Sequence, residues 1–111
     1  MEAIRHALAV RDWGVAARLL ADHWPGLHLD GQAATVHELL AGFPAEVRAA
    51  DAELAVLAVA DELAQGLLEA AERYLRLAER EPVPDSRRGQ FRVLFGVARL
   101  LHACCVICRP N

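Results

Sequence analysis

Apolar residues recur every three to four positions along this chain, and no stretch alternates with a period of two. That spacing predicts α-helices that each bury one stripe, and no sheet. EAIRHALAV reads as a short helix ending at Arg11-Asp12, with Asp12 placed to cap the next. In the second helix Trp13, Ala16, Ala17, Leu20 and Trp24 share a face, and Pro25-Gly26 is expected to end it. A third is expected from about Gly31 to Ala41, capped by Asp30, with Ala33, Val36, Leu40 and Phe43 on one side. Gly42-Phe43-Pro44 breaks it, and Pro44 opens a short turn through Arg48. Asp51 then caps a helix over Ala52 to Ala64. Its middle, LAVLAVA, is apolar nearly all round and should be the most buried part of the chain. Gln65-Gly66 leads into a helix striped by Leu67, Ala70, Ala71, Tyr74 and Ala78. Glu81 to Asp85, with two prolines, is a loop. Asp85 or Ser86 caps the last helix, lined by Phe91, Leu94, Phe95, Ala98 and Leu101.

Two of these helices superpose. RDWGVAARLL (residues 11–20) matches QGLLEAAERY (65–74), placing Trp13 over Leu67, Ala16 over Ala70 and Leu20 over Tyr74. A bulky residue, a small alanine and another large residue at these spacings suit the second helix of a helical-repeat unit. The offset of 54 residues exceeds the ~34 of a regular tetratricopeptide array, so an irregular helix pair is expected between the units. The fold class expected is all-α: antiparallel helix pairs in a tetratricopeptide-like α-solenoid fragment. It would form one domain over residues 1–102, followed by an atypical tail at 103–111.

Composition agrees. With 111 residues the chain is one domain in size, and 22 alanines and 17 leucines against 5% aromatics favour helix. The net charge of -3 argues against a generic nucleic-acid binder. Every one of the 12 basic residues is arginine, which speaks for a GC-rich coding sequence more than for chemistry. The N-terminus lacks an uninterrupted apolar signal region, because Glu2, Arg5, Arg11 and Asp12 punctuate it. Phe91 to Cys108 is the longest apolar stretch, but Arg92, Arg99 and His102 lie inside it and argue against a membrane span. Three crowded cysteines make no disulfide framework. The reading is a cytoplasmic, reduced protein.

The wording of the chain carries a resemblance. AIRHALAVRDWGVAARLLADHW, followed by LDGQAATVHELLAGFPAEVRAADAELAVLAVADELAQGLLEAAERYLRLAE, resembles the helical-repeat region of large LuxR-type transcriptional regulators related to MalT, closest to actinobacterial members. The likeness covers roughly residues 2–102. It implies a tetratricopeptide-like segment lying between an ATP-binding and a DNA-binding domain, where a protein partner or small inducer is sensed. Nothing here matches GxxxxGK[ST], and no basic recognition helix is present. Neither nucleotide nor direct nucleic-acid binding carries over, and HACCVICRPN leaves the family pattern. The alternative is a free-standing helical adaptor, or a truncated remnant, that self-associates through exposed apolar ends.

Candidate chemistry is sparse. His102, Cys105 and Cys108 have three-residue spacing, with Cys104 adjacent, but a zinc site needs a fourth ligand from elsewhere. Buried small apolar side chains account for the cysteines more simply. The histidines His6, His23, His28 and His37 read as surface or hydrogen-bonded groups, and no acid–base pair or nucleophile constellation stands out. No catalytic residue or cofactor is assigned. Trp13, Trp24 and Tyr74 are candidates for a ligand or partner groove, against simple packing between helix pairs. Arg88, Arg92 and Arg99 form a stripe that suits an anion or acidic partner, against a solvated face. Glu69–Arg73 and Glu72–Arg76 are i, i+4 pairs expected to support the fifth helix, whereas the like-charged Arg76–Arg80 opposes it. LLHACCVIC is apolar nearly all round, so a homo-oligomer through the C-terminal helix is expected.

Overall fold

Eight consecutive residues, Ala52 to Val59, are buried, a run no one-sided helix produces. They belong to the helix around which the fold is built. In the computed structural model, which describes residues 2–107, the chain is helical with no strand among the described residues. The helices are α1 (Glu2–Ala9), α2 (Trp13–Leu29), α3 (Ala33–Ala41), α4 (Ala45–Ala50), α5 (Ala52–Ala64), α6 (Leu68–Arg80) and α7 (Arg88–Ile107). A single 3-10 turn, Asp85–Arg87, precedes the last. α5 packs against α2, α3, α4, α6 and α7, which explains why LAVLAVA carries no polar face. Asp51 caps it as the sequence implies, accepting the Leu54 N–H at 3.1 Å. The radius of gyration, 13.3 Å, matches the roughly 13 Å of a compact domain of this length.

Three helix–helix connections share one construction. Asp12 N–H donates to Ala7 O (2.9 Å) and Arg11 N–H to Leu8 O (3.1 Å). Gln32 and Gly31 repeat the pattern on Leu27 O and His28 O, and Leu67 and Gly66 on Glu62 O and Leu63 O. Each is a Schellman ending, which requires one left-handed residue: Arg11 (φ 60), Gly31 (φ 71) and Gly66 (φ 77). The following residue, Asp12, Gln32 or Leu67, is already the N-cap of the next helix.

These turns correct the sequence superposition. Arg11 aligns with Gly66 and Asp12 with Leu67, so the structural register is one residue further along than the sequence match. Ala16 therefore lies over Ala71, both 0% exposed, while Ala70 is only half-buried. Leu67 sits at the cap and is 50% exposed rather than opening the stripe.

Other boundaries move as well. Pro25-Gly26 does not end α2, which continues through Leu29 with Pro25 inside it. A proline there removes one backbone bond and normally costs about 3 kcal/mol. The extra turn, however, stacks His28 on Trp24 (centroids 4.9 Å apart) and brings Leu27 against the core. Asp30 is accordingly the C-cap of α2, not the cap of α3, whose N-cap Gln32 makes no side-chain cap bond. Ala33 is exposed, and Leu39 takes its place in the buried face with Val36, Leu40 and Phe43. The short turn after Pro44 is helix α4, and Arg48 on it donates to the Leu40 and Phe43 carbonyls at 2.9 and 3.2 Å. α7 runs unbroken across residue 102 to Ile107.

Candidate functional site

Glu53 is the buried charged residue of the core, 1% exposed on the first turn of α5. Its carboxylate accepts from Arg18 of α2 at 2.6 Å and from Arg87, just before α7, at 2.8 Å. Arg18 also pairs with Asp51, and Arg87 with Asp22 at 2.9 Å, where the Gln90 amide joins. The chain Asp51–Arg18–Glu53–Arg87–Asp22 thus ties α2, α5 and α7 together. Partial burial works to raise the Asp22 pKa, but hydrogen bonds from Arg87 and Gln90 outweigh it and hold that carboxyl below its ordinary 3.8. The Glu53 hydrogen bond, against the opposing effect of burial, raises the Arg87 pKa beyond its already high value. Sequence reading missed this cluster because each ion pair joins residues more than 30 positions apart, and Arg18, Glu53 and Arg87 each look like an ordinary helix-surface charge. The visible hint was Glu53 itself, one residue before the apolar run.

Beside the cluster an open depression is lined by Asp12, Gly14, Val15, Arg18, Leu19 and Asp51. Arg18 is the cation in this lining, and Asp51 and Glu53 already take the ends of its guanidinium. Elsewhere His37 Nδ1 lies 3.0 Å from both Asp61 oxygens, with the Gln65 amide donating to Asp61 at 3.2 Å. That chain of hydrogen bonds contains no hydroxyl or thiol. Among the described residues no group of three or more His, Cys, Asp and Glu side chains converges as a metal site would.

The residues singled out from the sequence do not gather in one place. Trp13 is half-buried and packs at a tilt on Phe43, with ring centroids 5.9 Å apart. Trp24, 3% exposed, lies eleven residues further along α2, roughly 16 Å away along the axis. Tyr74 is half-buried on α6, which makes its main contacts with α5 and α7. All three pack in or against the hydrophobic core. His102 Nε2 faces Glu72 Oε1 of α6 at 3.2 Å, so Glu72 turns to it rather than to Arg76. Cys104 and Cys105 are exposed, not buried as the simpler reading had them, and Cys108 lies outside the described residues.

α7 carries four of the exposed large hydrophobic side chains, Val93, Leu100, Val106 and Ile107. Leu94 and Ala98 are buried beneath it, with Phe91 and Phe95 stacked alongside. Arg88, Arg92 and Arg99 form the expected exposed stripe. Arg88 pairs with Asp85 at 2.8 Å and Arg99 lies over the Phe95 ring, 5.9 Å from its centroid. On the far side Val93, Leu100 and Ile107 stand in solvent at 65%, 65% and 81% exposure. In spite of its arginines the segment Asp85–Ile107 has a mean hydropathy of 1.5 over its most apolar window, and 11% of that window is buried. By length and composition alone it reaches what a membrane span requires.

No family model, curated protein or solved structure matches the chain.

Proposed function

We propose that this chain is a non-catalytic interaction or sensor segment, the tetratricopeptide-like repeat portion of a LuxR/MalT-type transcriptional regulator. The observation that carries the reading is the repeated construction of its helix pairs. α1–α2 and α5–α6 are joined by the same left-handed turn and place Ala16 and Ala71 at matching buried positions. α7 then lies on both α5 and α6, where the first helix of a further antiparallel pair would sit in a solenoid. Such modules act by presenting helix faces to a partner or inducer, and coupling that contact to domains elsewhere in the protein. The exposed face of α7 is the surface assigned to this contact, and a cytoplasmic setting accords with it.

The test is the coding sequence on either side. An ATP-binding module upstream and a helix-turn-helix module downstream, in the same reading frame, are the expected result. A frame closed at both ends without either would refute the regulator assignment and leave an adaptor.

A further inference from the structure

The solvent side of α7 has a spacing that its buried side does not explain. Val93, Leu100 and Ile107 recur at seven-residue intervals, and so do Gly89, Gly96 and Ala103. Seven residues are two turns, about 10.5 Å, so the bulky and the small residues form two adjacent rows along one helix face. All six are exposed, and a side chain at Gly89 or Gly96 would meet no atom within 4 Å. A glycine inside an exposed helix costs about 1 kcal/mol relative to alanine, and these two relieve no crowding within the chain.

We propose that this face binds a second copy of itself, with the two α7 helices antiparallel about the level of Ala98. In that register Val93 lies level with the partner's Ala103, Leu100 with the partner's Gly96 and Ile107 with the partner's Gly89. Every bulky residue on one helix meets a small one on the other, and the two bulky rows interdigitate at steps of three and four residues. One patch therefore serves both sides, as a closed twofold contact requires. The inference takes the face assigned above to a partner and names that partner as a second copy; the sedimentation test below can fail without the coding-sequence test failing, and the reverse.

Area sets the strength. Burying each bulky side chain removes roughly 100 Å² from water. Together with the small-residue floor, the contact amounts to about 400–500 Å² per copy, or roughly 800–1,000 Å² for the pair. That is the lower limit for a specific interface and places the contact among weak, reversible associations. Arg88 pairs with Asp85 and Arg99 lies over Phe95, while Arg92 is exposed on the same stripe, so an anionic surface is the competing occupant that the salt dependence below separates. The twofold brings both arginine stripes to one side of the dimer, so added salt should strengthen association. Binding to an acidic partner or an anionic membrane would weaken instead.

The experiment is sedimentation of the full chain with reductant present, from about 1 to 200 μM in low and high salt. A monomer–dimer equilibrium that tightens with salt is expected. Gly96→Leu is the decisive variant, since it fills the notch with apolar surface while leaving the fold uncrowded. It should weaken the dimer at least about tenfold with the thermal midpoint unchanged or raised, whereas nonspecific apolar association would strengthen. In a background with all three cysteines replaced by serine, Val93→Cys with Ala103→Cys should give intermolecular disulfides, and Val93→Cys alone should not. A monomer throughout, a tighter Gly96→Leu dimer, or cross-linking by Val93→Cys alone would overturn the proposal. So would a monomer that binds phosphatidylserine vesicles through the same face.

Discussion

Replacing Glu53 by glutamine tests whether the buried charge cluster holds the helices together. The change keeps the shape of the side chain and one acceptor, but leaves two guanidiniums facing a neutral group. Removing one partner of a buried ion pair typically costs about 3–5 kcal/mol. Here the Arg18 and Arg87 side chains are 31% and 19% exposed and retain Asp51 and Asp22, so both rehydrate in part. The expected loss is therefore smaller, about 2–3 kcal/mol. At about 4–6 °C per kcal/mol for a chain of this size, the thermal midpoint should fall by roughly 10–15 °C. Urea unfolding followed by circular dichroism should show the same loss at an unchanged m-value. A companion variant, Arg18→Met with Glu53→Leu and Arg87→Met, removes the buried centre of the cluster, leaving only the more exposed Asp51 and Asp22, and should lose less than Glu53→Gln alone. A loss below about 0.5 kcal/mol for Glu53→Gln would refute the reasoning, because an exposed or mispositioned carboxylate behaves that way.

Three further outcomes follow from the packing and the turns. Ala16→Leu and Ala71→Leu should each cost roughly 1–3 kcal/mol by overpacking, while Ala70→Leu should be nearly neutral; chemical denaturation of all three decides between the two repeat registers. Gly66→Ala should lose about 1 kcal/mol by forcing a side chain into the left-handed region, whereas Arg11→Gly should gain a few tenths, both read from thermal midpoints. Asp22→Asn should be less stable than wild type at pH 7 by a few tenths to about 1 kcal/mol, since the carboxylate is partly exposed. Its pKa is lower in the folded chain, so its contribution is present above about 3.8 and disappears as pH falls through the folded value. Stability curves of the two proteins should converge in acid.

Much of the helical plan is legible along the chain because periodicity and capping are local. Asp12 and Asp51 announce the starts of α2 and α5, and LAVLAVA announces a helix with neighbours on every side. The Gln65-Gly66 turn and the proline loop after Arg80 follow from backbone chemistry alone. Local rules failed where a distant contact outweighed them. Pro25 should stop a helix, but His28 stacked on Trp24 and Leu27 against the core keep α2 helical for another turn. Ala70 and Ala71 are indistinguishable in sequence, and only the left-handed residue at Gly66 decides which one faces α5. The joining of Glu53 to Arg18 and Arg87 is equally invisible in one dimension, because it depends on three helices meeting. On α7 the inward stripe of Phe91, Leu94, Phe95, Ala98 and Leu101 was legible from its period, whereas only the packing of α5 and α6 beneath it leaves Val93, Leu100 and Ile107 uncovered on the other side.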